Sequence, residues 1–62
     1  DKDIIYIIEQ DILKLLRIKN ESSRKLIQLL TYKESSVILA IQRLLEDEKI
    51  RINSINQYEI IE

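Results

Sequence analysis

Apolar residues along this 62-residue chain fall into three runs with helical spacing and then switch to strand-like sequence. In the first run Ile4, Ile5, Ile8, Ile12, Leu15 and Leu16 recur at intervals that make one broad stripe, which predicts a helix over residues 3–17. Tyr6 and Leu13 sit on the flank of that stripe, and Ile7 lies well off it. In the second run Leu26, Ile27 and Leu30 share one face, and in the third Val37, Ala40, Ile41 and Leu44 do the same. Residues 31–34 interrupt these two runs and turn the chain. After Ile50 the sequence is apolar and β-branched on either side of Ser54-Ile55-Asn56, an Asn/Ser turn signal, so residues 51–53 and 57–61 predict a hairpin. The expected class is α+β, mostly helical: three helices, the last two meeting at a steep angle, followed by a two-stranded β-hairpin.

Local signals set the expected boundaries. Asn20 or Ser22 can cap the second helix, because either side-chain oxygen accepts from the first free N–H groups. Ile18 and Lys19 are expected to form a short extended strand before it. Thr31 with Glu34 three residues later has capping-box spacing, which would make Thr31 the N-cap of a third helix running to about residue 47. The chain holds no Gly and no Pro. Any backbone position with positive φ must then fall on another residue, and Asn20, Asn53 and Asn56 are the expected ones.

Composition narrows the picture. Sixty-two residues make one domain over 1–62, near the size below which a chain buries too little surface to fold alone. Fourteen isoleucines and nine leucines, with no Phe, Trp or Met, mean a core built from branched aliphatics of similar size. The absence of cysteine excludes a disulfide framework, and no apolar run reaches the ~20 residues of a membrane span. An intracellular setting, cytoplasm or nucleus or nucleoid, is expected. The sequence begins at Asp1 without a methionine, which reads as a domain excised from a longer protein. The wide stripe of the first helix has two readings: aliphatic surface ordinary for a small domain, or contact with a second copy or a missing segment.

Leu26, Ile27, Leu30, Tyr32, Val37, Ile41, Leu44 and Ile50 resemble the apolar skeleton of the winged helix-turn-helix superfamily, as in MarR-like and ArsR-like regulators, over residues 5–61. In that family the position of Thr31 is commonly Gly and the N-cap, here Lys33, is commonly Ser or Thr. The resemblance therefore implies a helix start after Lys33, against the capping box at Thr31. Ser35-Ser36-Val37 with Ala40-Ile41, Leu44, Glu48 and Ile50 is also similar to the carboxy-terminal winged helix of the middle subunit of replication protein A, which implies a protein-binding role.

Catalytic chemistry has little to stand on. No His or Cys is present to ligate zinc, form a nucleophile pair or shuttle protons near neutral pH, and without Gly there is no phosphate-cradling loop. Glu46, Asp47 and Glu48 are consecutive on a helix end and point in different directions, so a solvated charged end is expected rather than a metal site. No enzyme activity, cofactor, metal or small-molecule substrate is expected, and Asn20-Glu21-Ser22 reads as a chance glycosylation sequon.

The remaining question is what the third helix and the hairpin touch. At ~100° per residue its outward face presents Ser35, Leu39, Gln42, Arg43 and Glu46. Net charge is −1, without the basic excess of an electrostatic DNA binder, yet residues 14–33 hold six bases (Lys14, Arg17, Lys19, Arg24, Lys25, Lys33) against the single acid Glu21. The leading expectation is double-stranded DNA binding, as a module of a transcription regulator or a replication protein. Ser35, Ser36, Leu39, Gln42 and Arg43 would enter the major groove, and Arg24, Lys25, Lys33 and Arg51 would hold phosphates. The alternative is a protein-interaction domain, binding a partner or a second copy through Leu39 or the first helix.

Overall fold

The computed structural model describes residues 2–61. Three helices, α1 (Lys2–Ile18), α2 (Ser23–Leu29) and α3 (Glu34–Glu46), precede an antiparallel hairpin of β1 (Ile50–Ile52) and β2 (Tyr58–Ile60). This is the α+β layout, mostly helical, that the hydrophobic pattern predicts. Asp1, where the sequence begins, lies outside the described residues.

The core forms where the helical phases meet. Ile5, Ile8, Ile12 and Leu16 of α1, Leu26 of α2, Val37, Ala40, Ile41 and Leu44 of α3, and Ile50 of β1 are buried together. α1 packs chiefly on α3 and also on β2, so α3 is held from one side by the first helix and from its end by the hairpin. The stripe on α1 is narrower than its sequence suggests: Ile4 is exposed and Leu15 only half-buried.

The starts of α2 and α3 have different causes. Ser22 caps α2 by accepting a 3.2 Å hydrogen bond from the Lys25 amide, one of the two caps expected. The capping box at Thr31 does not form. Lys33 is extended (φ −60°, ψ 142°) and is the N-cap of α3, without a side-chain hydrogen bond. The reason is tertiary: Leu30 leaves α2 in an extended conformation, and the Tyr32 hydroxyl donates to Asp11 Oδ2 on α1 at 2.7 Å. Anchored there, residues 31–33 span the gap between the helices instead of coiling.

The expected extended piece at Ile18 and Lys19 is also displaced. Ile18 ends α1, and the Lys19 amide still bonds to the Leu15 carbonyl. Glu21 is the residue that joins the sheet, through a bridge to Tyr58 whose amide donates to the Glu21 carbonyl at 2.7 Å. The loop between α1 and α2 thereby becomes a one-residue third strand beside β2.

Positive φ occurs at Asn56 (61°), as expected, and at Glu48 (58°), which was not; Asn20 and Asn53 do not adopt it. Glu48 closes α3. Its amide bonds to the Leu45 carbonyl and the Lys49 amide to the Leu44 carbonyl, the paired hydrogen bonds that glycine usually closes at a helix end. At the hairpin tip the Asn56 amide bonds to the Asn53 carbonyl, and Asn53 Oδ1 accepts from the amides of Ile55 and Gln57. A turn followed by a left-handed residue is a standard three-residue hairpin loop, and it fixes the register Ile50↔Ile60, Arg51↔Glu59, Ile52↔Tyr58. Among the described residues no helix is long and apolar enough to cross a membrane.

Candidate nucleic-acid interface

α3 is the element most completely positioned by the fold. Val37, Ala40, Ile41 and Leu44 anchor one side, which sets the direction of every other side chain on it. Ser35, Leu39, Gln42, Arg43 and Glu46 are exposed on the far side, and Ser36 is half-buried at its border. Leu39 is 41 % and its neighbour Ile38 40 % exposed, so this face presents two aliphatics among its polar groups.

α2 lies alongside the start of α3. Ser23, Arg24, Ile27 and Gln28 form one wall of an open depression of about 440 Å³ whose other wall is Glu34 and Ile38. Arg24 is therefore beside the first turn of α3, where Lys33 also stands. Lys25 is exposed but does not line this depression. The structure thus brings Arg24 and Lys33 to the same end of α3, while Gln42 and Arg43 lie further along it.

Arg51 is engaged elsewhere. Its Nε donates to Glu59 Oε2 across the hairpin at 2.6 Å, and Asn53 Nδ2 donates to Glu59 Oε1 at 3.4 Å. These hydrogen bonds, Arg51 first and Asn53 second, hold the Glu59 carboxyl below its ordinary range. Among the described residues the other ion pair is Lys19 with Glu21 at 3.8 Å, and none of them gives Arg24, Lys25, Lys33 or Arg43 an acidic partner. The Tyr32 hydroxyl is held above its ordinary pKa, first by its hydrogen bond to Asp11 and then by burial, because losing its proton would put a phenolate against a carboxylate.

Glu59, Asn53, Tyr32 and Glu34 were missed as members of the site's surroundings. The Arg51–Glu59 pair was readable: the two residues are equally far from Ile55 at the centre of the predicted turn, so a hairpin centred there sets opposite charges face to face. No such signal marked Tyr32 and Asp11, which are 21 residues apart.

Comparison with protein-family models, with curated proteins and with solved structures finds no match for this chain.

Proposed function

We propose that this chain is a winged helix-turn-helix module that binds double-stranded DNA through α3, with α2 on the phosphate backbone. The observation that carries the reading is Lys33. It occupies the N-cap of α3 without a side-chain hydrogen bond, and it adds positive charge to the positive end of the helix dipole. Ser, Thr or Asp would suit the fold better there. A cation with no acidic partner among the described residues, kept where it costs stability and beside Arg24, fits a phosphate contact at the end of the helix that enters the groove. Gln42 then faces base edges as a bidentate partner for adenine and Arg43 as one for guanine or phosphate. Arg51, tied to Glu59, contributes less.

One observation favours a second reading. Ile38 and Leu39 are exposed side by side, and Glu34 and Glu46 are exposed on the same helix, which suits a protein groove with basic rims better than phosphate. Salt dependence separates the two. If Arg24, Lys25, Lys33 and Arg43 meet phosphates, log affinity for duplex DNA falls with log salt at a slope of about −3 to −4. Arg24→Glu with Lys25→Glu should weaken binding tenfold or more at physiological salt; binding unchanged by that reversal, or absent at low salt, refutes the DNA reading.

A further inference from the structure

α1 carries a second face that its own domain covers only around Asp11, which is half-buried beside Tyr32. Ile7 is 48 % and Ile18 81 % exposed, and Lys14 between them is exposed as well. Ile7, Asp11, Lys14 and Ile18 follow one another at intervals of four, three and four, the alternating repeat of a helix–helix seam. At ~100° per residue this seam lies roughly 130° around the helix from Ile5, Ile8, Ile12 and Leu16, so it points away from the core those residues build.

Charge decides what covers it. Glu9 and Asp11 lie in the first half of α1, whereas Lys14, Arg17 and Lys19 follow at its end and beyond. We propose that this face pairs with α1 of a second copy of the chain in antiparallel orientation. Ile7 of each copy packs on Ile18 of the other, and Asp11 of each meets Lys14 of the other. Both pairs are symmetric about the point between Ile12 and Leu13, so one two-fold axis there generates four consecutive layers, apolar at the ends and ionic in the middle. A parallel pairing sets Asp11 on Asp11 and Lys14 on Lys14, and like charges exclude it. Tyr32 occupies only Oδ2 of Asp11, which leaves Oδ1 for the lysine.

The seam spans three helical turns, less than the ~1,200 Å² of a standard stable interface, so the dimer exchanges with monomer and is seen at high protein concentration. The chain has no cysteine, which makes cross-linking clean. An equimolar mixture of the Ile7→Cys and Ile18→Cys variants, oxidised at high concentration, should yield a disulfide dimer of one variant with the other. Each variant alone should yield little, because two copies of the same residue then sit eleven positions apart, about 16 Å along the axis, well beyond disulfide reach. Sedimentation equilibrium of the Lys14→Glu variant should show a dissociation constant raised at least tenfold, with an unchanged circular dichroism spectrum. Self-linking of Ile7→Cys, which marks a parallel pair, overturns the proposal. So does a native chain that stays monomeric at every concentration, as it would if a different protein covered this face, or a dimer that does not cross-link between positions 7 and 18.

Discussion

Leu39 and Leu44 are the same residue type on the same helix, five positions apart, and the structure assigns them opposite environments: Leu44 is fully buried and Leu39 is 41 % exposed. Truncating each to Ala tests the rotational phase of α3, on which every proposed contact depends. Helix propensity changes equally in both, so the difference between them reports burial alone. Leu44→Ala removes a side chain packed within the core shared by α1, α2, α3 and β1, and leaves a cavity that a close-packed aliphatic core refills only in part. The expected cost is about 2–5 kcal/mol. A domain of this size holds only about 3–9 kcal/mol in total, so this one change removes a large share of the stability. At about 2.1 cal/mol/K per residue of unfolding entropy, each kcal/mol lowers the melting temperature by roughly 8 °C.

Leu39→Ala should stay within about 0.5 kcal/mol of the parent. Urea titrations followed by circular dichroism at equal protein concentration give both values. The denaturant slope should be the same for all three proteins, since the surface exposed on unfolding barely changes. Equal losses at the two positions, or a larger loss at Leu39, would mean that α3 is rotated from the arrangement described, and Gln42 and Arg43 would no longer face outward together.

Glu48→Gly should raise stability by about 0.5–1 kcal/mol, because a left-handed residue costs a side-chain-bearing amino acid about 1–2 kcal/mol and glycine recovers that less its own chain entropy; the same urea titration reads it. Lys33→Ser should likewise raise stability by about 0.5–1 kcal/mol through a new N-cap while reducing the steepness of the DNA salt slope by about one contact. Glu59 titrates lower in the folded chain than unfolded, so its contribution is present above its ordinary value of about 4.3 and is lost as pH falls through the lower folded value. Acid unfolding of Glu59→Gln should therefore show a shallower loss in that window, and an unchanged profile would mean that the Arg51 hydrogen bond adds nothing in solution.

Periodicity sufficed where burial alone decides conformation. The phase of α3 was legible because Val37, Ile41 and Leu44 repeat at the helical period and nothing else competes for them. The hairpin was legible from Asn53 and Asn56, whose short side chains bond to nearby backbone and tolerate the left-handed region. What was not legible depends on partners distant in sequence. Thr31 and Glu34 carry a sound local cap signal, and it lost to the Tyr32–Asp11 hydrogen bond, which no spacing announces. Glu48 gives no sign of a left-handed backbone; it takes one because the chain must leave α3 and reach β1 within three residues so that Ile50 can enter the core. Ile4 belongs to the apolar stripe by angle but lies near the end of α1 and stays exposed. For the candidate site, exposure of Arg24, Lys25, Gln42 and Arg43 followed directly from helical phase, whereas the engagement of Arg51 by Glu59 required pairing two strands.

Two cations are held by acids of the chain, which changes what each can offer a partner. Lys19 is matched to Glu21 and Arg51 to Glu59, both acids on elements of the sheet, so these two cations serve the junction of wing and loop. Arg24 and Lys25 on α2, Lys33 at the N-cap of α3 and Arg43 on α3 have no such partner among the described residues. Lys14, Arg17 and Lys49 are unpaired among those residues as well, and exposed pairs are worth little to stability, so what distinguishes Arg24, Lys25, Lys33 and Arg43 is their place on or beside the two helices proposed to meet DNA. Its own pairing limits the claim for Arg51, since a phosphate would have to compete with a carboxylate already 2.6 Å from its guanidinium. The wing would then position the turn helices rather than add a strong phosphate contact of its own.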